Sequence, residues 1–191
     1  MTQTLVQSLQ GQFLLAMPGM ADPRFLRSVV YIVAHDSEGA MGFVINQRAD
    51  GLSLGDILKD IPEAVAKTGL INLPVYVGGP VQSDQGFVLH TSDYEKTLNS
   101  LSQELPIALT QSADVLVDAA RGQGPEMMRL FLGYAGWGSG QLEGELQDNA
   151  WLVCEADIAG IFTSQSDELY EKSVAAMGIA LALLSNEGGE A

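Results

Sequence analysis

Apolar residues gather into short runs separated by turn-forming residues, a pattern that predicts more strands than helices. Residues 28–35 are rich in β-branched and aromatic side chains, and a second apolar run, residues 42–46, follows the turn-forming segment 36–39. Together they predict an antiparallel hairpin. Residues 74–77 and 86–90 predict another hairpin around Gly78-Gly79-Pro80. Further strands are predicted at residues 13–17, 106–109, 127–134 and 151–154.

Helix signals lie between these strands. Ser53-Leu54-Gly55-Asp56 resembles a capping box and predicts a short helix that ends before Pro62. Further helices are predicted at residues 113–121, 141–147, 157–162 and 167–177. Hairpin strands with interspersed helices favour an α+β fold with a mixed or mainly antiparallel sheet. We expect one domain over residues 1–191, with residues 185–191 as a flexible tail.

The charge is negative and unevenly distributed. Hydrophobic residues make up 47% of the 191 residues and charged residues 17%, which is typical of a globular chain. The formal net charge is −15, and residues 131–191 carry ten acidic groups against Lys172 alone. This field repels phosphate backbones and anionic membranes. The negative charge keeps the protein soluble, or it favours a basic protein partner that binds the acidic C-terminal third, residues 131–191.

The single cysteine, the N-terminal charges and the apolar segments indicate the cellular compartment. Cys154 has no second cysteine with which to pair, which fits a reducing compartment. No basic residue precedes Arg24, so we expect no secretory signal. The apolar stretch 175–184 is too short to cross a bilayer. The expected location is cytoplasmic, without membrane association.

The glycine-rich segment 133–140, with the sequence GYAGWGSG, leads from a predicted strand into a predicted helix. Backbone N–H groups of such a loop can hold an anion. No lysine follows the glycines, so the segment is no Walker A loop. Trp137 and Gln141 occupy the glycine positions of a nucleophile elbow, and Glu143 replaces the third glycine of a dinucleotide fingerprint.

Two interpretations of this loop remain open. In the structural one, it is a tight turn in which Ser139 caps the helix and Trp137 anchors the packing. In the functional one, it holds a small ligand or an enzymatic site. The candidate lining residues are then His35, Asn46, Tyr134, Trp137, Gly138, Ser139 and Gln141.

Other reactive side chains offer weaker signals. His35 and His90 both end predicted strands, but no spacing typical of metal ligands accompanies them. Cys154 lies in an apolar strand beside Glu155, which favours a buried, inert thiol. Glu143 and Glu145 are two apart on a predicted helix and do not share a face. The sequence therefore predicts no catalytic residues, no metal and no cofactor.

Three segments together resemble the AlgH/YqgE family of bacterial proteins. They are residues 11–46 with GQFLLAMP and GFVIN, residues 75–90 with VYVGGPV and GFVLH, and residues 133–151 with GYAGW and QLEGE. The resemblance implies a compact α+β fold, with a bifurcated sheet that forms a small closed barrel flanked by helices. It brings no established activity and no catalytic residues. Some members carry a transcriptional-regulator label that came from effects on alginate production.

Three functional hypotheses follow. The first is a non-catalytic binding or regulatory domain that acts through a protein partner. The second is a small-ligand-binding or enzymatic domain with its site at residues 136–140. The third, direct DNA regulation, is disfavoured because Arg24, Arg27 and Arg48 form no recognisable motif and the rest of the chain is acidic.

Overall fold

The computed structural model describes residues 8–61, 68–94 and 106–179. The strands are β1 (Gln12–Ala16), β2 (Val29–Asp36), β3 (Gly39–Val44), β4 (Arg48–Ser53), β5 (Pro74–Val77), β6 (Val81–Thr91), β7 (Ile107–Thr110), β8 (Met128–Gly138) and β9 (Trp151–Glu155). The α-helices are α1 (Leu54–Leu58), α2 (Thr68–Ile71), α3 (Asp114–Arg121), α4 (Gln141–Gln147), α5 (Ile158–Thr163) and α6 (Ser166–Ala176), and Pro23–Phe25 form a 3₁₀ turn.

The chain divides into two compact units. Unit 1 comprises Met1–Asn46 and Ala135–Ala191, and unit 2 comprises Gln47–Tyr134. β8 contributes its last four residues to unit 1 and the rest to unit 2. The expected single domain stays a prediction, and the expected tail at residues 185–191 lies outside the described residues.

The sheet of unit 1 is antiparallel. β1 pairs with β2 and β9, β2 pairs with β3, and β3 pairs with the end of β8. The predicted hairpin of β2 and β3 is confirmed. The centres of β1 and β2 are apolar without alternation because residues on both faces of these strands are buried. α6 contacts β1, where the Tyr170 hydroxyl donates to the Ala16 carbonyl at 2.7 Å.

The sheet of unit 2 is mixed, and it corrects the second predicted hairpin. β5 pairs in parallel with β8 and antiparallel with β4, whereas β6 pairs antiparallel with β8 and β7. β5 and β6 thus lie on either side of β8 instead of pairing with each other. The connection crosses β8 closely: the Gly78 N–H donates to the Leu132 carbonyl at 2.8 Å. Gly133, at φ +68°, has no room for a Cβ because the Gly79 carbonyl lies against it.

The α+β class with a mixed sheet and flanking helices is confirmed, but the small closed barrel is not supported. The described strands of unit 1 follow the order β8-β3-β2-β1-β9, and those of unit 2 the order β4-β5-β8-β6-β7. The end strands of each row do not pair with one another, so neither row closes. A barrel needs that final pairing to remove its edges.

The start of α1 and the end of α3 follow from the local sequence. Ser53 caps α1: its hydroxyl accepts from the Asp56 N–H at 3.3 Å, and the Asp56 carboxylate accepts from the Ser53 N–H at 3.0 Å. The predicted capping box is confirmed. α3 ends, as predicted, at Gly122 with φ +76°. No helix among the described residues is both long and apolar enough to span a membrane.

Candidate functional site

The glycine-rich segment is shorter as a loop than the sequence predicts. β8 continues through Gly138, and Gly136, Trp137 and Gly138 pair with the β3 residues Met41, Ala40 and Gly39. Only the two residues before α4 remain as a turn. Most of the predicted loop is therefore a strand, which fixes its backbone N–H and C=O groups in a ladder.

The turn before α4 depends on a glycine. Gly140 takes the N-cap position with φ +73°, a left-handed conformation that glycine adopts without strain. The predicted capping role of Ser139 is wrong, since its hydroxyl donates to the Ser37 carbonyl at 2.6 Å instead. Ser139 therefore ties the turn to the β2–β3 hairpin.

Glu145 joins the two tryptophans of the chain. One carboxylate oxygen, Oε2, accepts from the indole N–H of Trp137 at 2.8 Å and from that of Trp151 at 2.7 Å. The rings meet edge to face, with their centroids 5.9 Å apart. Trp137 is 7% exposed and Trp151 3%, so each indole N–H needs a partner within the protein. Glu145 satisfies both.

Gln141 completes this network. Its side-chain carbonyl accepts from the Gly138 N–H at 3.1 Å, and its Nε2 donates to the second Glu145 oxygen at 2.9 Å. Both the oxygen and the nitrogen of the Gln141 amide thus bond to neighbouring residues of the strand-to-helix junction. Gln141 and Trp137 do come together, as the functional interpretation requires, but as parts of a closed structural network.

A β-bulge brings His35 to the same side of the sheet. The register of β2 and β3 shifts between Ile32 and Ala34, so Val33 is the extra residue. Side chains alternate along a strand, and one extra residue reverses the alternation. Ile32 and His35 consequently share a face. His35 lies opposite Ala40, which lies opposite Trp137.

Both ring nitrogens of His35 have partners. Nδ1 accepts from the Leu9 N–H at 3.0 Å, so the proton is on Nε2, which donates to the Glu143 carboxylate at 3.0 Å. The His35 side chain is only 2% exposed, and that of Glu143 is 31% exposed. His35 thus fastens the segment before β1 on one side and α4 on the other.

Two predicted lining residues have partners elsewhere. The Asn46 side chain accepts from the Val29 N–H at 2.8 Å and donates to the Arg27 carbonyl at 2.9 Å, which holds the turn before β2. Tyr134 belongs to unit 2, where its ring packs edge to face on Phe87 at 5.6 Å. The described contacts link neither residue to the segment before α4.

The remaining reactive side chains are also held by the fold. His90 donates from Nδ1 to the Thr91 carbonyl at 2.8 Å, and its ring packs edge to face on Tyr94. Cys154 is half-buried, and burial raises the pKa of its thiol to about 11. Among the described residues, no three histidine, cysteine or acidic side chains gather in a group that could hold a metal ion.

Sequence reasoning missed the central residue of this site. The spacing of Glu143 and Glu145 says nothing of their partners, and the two glutamates contact different residues. A usable signal existed in the two tryptophans on either side of it, since buried indoles require acceptors. The chemistry of the arrangement is structural: a carboxylate that accepts three hydrogen bonds and a histidine with both nitrogens occupied.

The fold and the site define an α+β protein in which the glycine-rich segment is a hydrogen-bonded junction of strand and helix. A model of AlgH-like proteins matches residues 13–182, and the chain belongs to this family. It is 45% identical to the UPF0301 protein AlgH of Pseudomonas aeruginosa over the whole of both chains. It is 46% identical to a UPF0301 protein of Rhizobium rhizogenes, over 96% of this chain and 93% of that one.

Two solved structures have the same fold. The solution structure of AlgH from Pseudomonas aeruginosa matches with a TM-score of 0.77 at 44% identity and covers both chains completely. A crystal structure of a Corynebacterium diphtheriae protein matches with a TM-score of 0.70 at 21% identity, over 95% of this chain and 93% of that one. The second likeness shows the fold alone.

Proposed function

We propose that the chain is a non-catalytic binding or regulatory domain that acts through a protein partner. The partner contacts the acidic C-terminal part of unit 1 and carries a basic surface. The observation that carries this proposal is the charge of residues 131–191, with ten acidic groups and one basic group. Opposite charge steers association and selects partners more than it adds affinity.

Several of these acidic side chains are at the surface. Asp148, Glu155, Glu168 and Glu171 are all exposed. Glu168 lies 2.7 Å from Lys172, and Glu171 lies 3.0 Å from Arg27. Exposed ion pairs of this kind contribute little stability, on the order of 0–1 kcal/mol, and a basic partner can replace them at small cost.

A ligand or enzymatic site at residues 136–140 is less well supported. Trp137, Ser139 and Gln141 all use their polar groups within unit 1. Glu143 stands in the first turn of α4, where its negative charge opposes a phosphate. Catalysis at this position would require breaking bonds that hold the junction together.

The proposal is tested with two variants of equal charge. In the first, Asp148→Asn, Glu155→Gln, Glu168→Gln and Glu171→Gln change the formal net charge from −15 to −11. The control makes the same change in unit 2 with Asp50→Asn, Asp60→Asn, Asp84→Asn and Glu126→Gln, which are also exposed. A local binding surface responds to the first variant only, whereas general charge attraction responds to both.

Partners are captured from a bacterial lysate at roughly 50 and 500 mM salt, conditions that differ strongly in screening. The captured protein is then purified and titrated against both variants. We expect binding that is weakened by salt and by the first variant, and retained by the control. Equal binding by the two variants contradicts the proposal.

Direct action on DNA is tested separately by a mobility shift at about 50 mM salt, where phosphate contacts are strongest. We expect no shift, because the acidic field repels the phosphate backbone. A shift that salt abolishes would support direct regulation and count against a protein partner.

A further inference from the structure

β9 lies at an edge of the unit 1 sheet. It pairs antiparallel with β1 and, within residues 8–61, 68–94 and 106–179, with no other strand. An edge strand presents a row of N–H and C=O groups to any extended chain that approaches. The edge is therefore a possible place for a partner to add a strand.

The hydrogen-bonding pattern between β1 and β9 shows which backbone groups of β9 point away from β1. The Met17 N–H donates to the Ala150 carbonyl at 2.9 Å, and hydrogen-bonded pairs alternate along an antiparallel ladder. In this register, Leu152 and Cys154 bond to β1. The N–H and C=O groups of Val153, and those of Trp151 and Glu155 on either side, consequently face away from β1.

The same phase follows from the other side of β1. The Ala16 N–H donates to the Ser28 carbonyl at 3.0 Å, so Leu14, two residues earlier, bonds to Val30 on β2. Leu14 is also the β1 residue opposite Val153. Because its backbone groups point toward β2, Val153 has to direct its own groups outward.

Two residue types that commonly protect an edge strand are absent from β9. Its sequence, WLVCE, contains no lysine and no proline, the residues that commonly block further pairing. Leu152, Val153 and Cys154 are half-buried, so part of their apolar surface is accessible. Exposed acidic side chains lie near both ends, Asp148 before the strand and Glu155 at its end.

We propose that β9 accepts an extended, basic segment of the partner protein as an additional strand. This inference rests on the proposed function and names how the partner binds. Backbone hydrogen bonds to Val153 and its neighbours provide affinity, and the acids at both ends select lysine or arginine. A second copy of this chain fits less well, because it would bring a second net charge of −15 to the same edge.

The probe is a capped seven-residue peptide of alternating lysine and valine, and its control has glutamate in place of lysine. The full-length, ¹⁵N-labelled chain is titrated with each peptide at about 50 mM salt, where exposed charges are weakly screened. We expect the lysine peptide to bind and to shift the amide signals of Val153 and Glu155. The glutamate peptide should leave them unchanged.

Hydrogen exchange in the unaltered protein gives the sharper test. Peptide binding should slow exchange at the amides of Val153 and Glu155, and leave those of Leu152 and Cys154, which already bond to β1, nearly unchanged. Side-chain contact alone cannot produce this alternation. Uniform protection along β9, or none with peptide bound, overturns the inference.

A backbone variant complements this measurement. Val153→Pro removes an outward N–H without removing a bond to β1, a position where proline is tolerated. Val153→Ala keeps the N–H and shortens the side chain. We expect the proline variant to weaken peptide binding about tenfold, corresponding to one net hydrogen bond, and the alanine variant to weaken it less.

The outcomes separate this inference from the proposed function. If the lysine peptide binds Val153→Pro as well as the wild type, strand addition is wrong, although the acidic surface can still bind a basic partner. If the lysine peptide does not bind at about 1 mM, the strand-addition inference is also wrong. Alternating protection that appears without peptide as protein concentration rises assigns the edge to a second copy.

Discussion

Glu145 should contribute substantially to the stability of unit 1, because two buried indole N–H groups depend on it. In Glu145→Ala, the N–H groups of Trp137 and Trp151 lose their acceptor. A buried donor left without a partner costs about 1–3 kcal/mol, so the pair should cost about 4 kcal/mol. The bond from Gln141 adds little, because Gln141 is exposed.

Glu145→Gln tests the same reasoning more gently. Its amide oxygen can take the place of Oε2 and keep both indole bonds, which then lose their charge assistance. Its NH₂ group meets the donor Nε2 of Gln141. We expect a loss of about 1–2 kcal/mol. Gln147→Ala is the control at an exposed position of the same helix and should change stability by less than about 0.5 kcal/mol.

The assay is chemical denaturation followed by tryptophan fluorescence. The chain has two tryptophans, both bonded to Glu145, so the emission reports on this network. Circular dichroism of each variant verifies that the secondary structure is retained before denaturant is added. If Glu145→Ala unfolds within about 0.5 kcal/mol of the wild type, with unchanged emission, the indole bonds do not stabilise the junction and the reasoning is refuted.

Three further changes test other parts of unit 1. Tyr31→Phe removes a buried hydroxyl that has no hydrogen-bond partner in the described part of the chain. It should raise the free energy of unfolding by up to about 1 kcal/mol. A decrease of that size would show that the hydroxyl does have a partner in the folded protein. Gly140→Ala, at φ +73°, should lower the free energy of unfolding by about 1 kcal/mol, whereas Gly144→Ala inside α4 should raise it by about as much. A Cβ meets open space at both positions, so the difference measures backbone strain and not crowding. Equal shifts in thermal denaturation would contradict this assignment. Burial raises the Cys154 pKa to about 11, so at pH 8 its reaction with iodoacetamide should be roughly a hundredfold slower than in the denatured chain; equal rates show that the thiol is accessible and ionised.

Sequence reasoning succeeded where the deciding bonds are local. Ser53 and Asp56 are one helical turn apart, and their reciprocal bonds follow from residue type and spacing. The hairpin of β2 and β3 is equally local, since a short turn joins strongly β-forming segments. Such features need no knowledge of the rest of the chain.

Sequence reasoning failed where a segment distant in the chain determines the strand pairing. Residues 74–77 and 86–90 look like a hairpin, but β8, which comes later in the chain, pairs with both strands. Gly136–Gly138 look like a loop because glycine disfavours strands, yet pairing with β3 extends β8 through them. Tertiary pairing overrides local propensity in both cases.

The candidate site shows the same division. One of the two interpretations of the sequence, with Trp137 as a packing anchor, agrees with the structure, although Ser139 does not cap α4. The position of His35 depends on the extra residue Val33. No propensity marks that bulge, and without it His35 would lie on the opposite face from Trp137. Glu143 and Glu145 acquire their roles only once those partners are placed.

The proposed binding role depends on where hydrogen-bonding groups remain available to a partner. In the segment before α4, Glu145 accepts three bonds and both nitrogens of His35 are occupied. At β9, by contrast, the backbone groups of Val153 are directed outward beside accessible apolar surface and acidic ends. The outward N–H and C=O groups of β9 are therefore suited to pairing with an extended chain. The alternating pattern of hydrogen exchange along β9 decides whether a partner uses them.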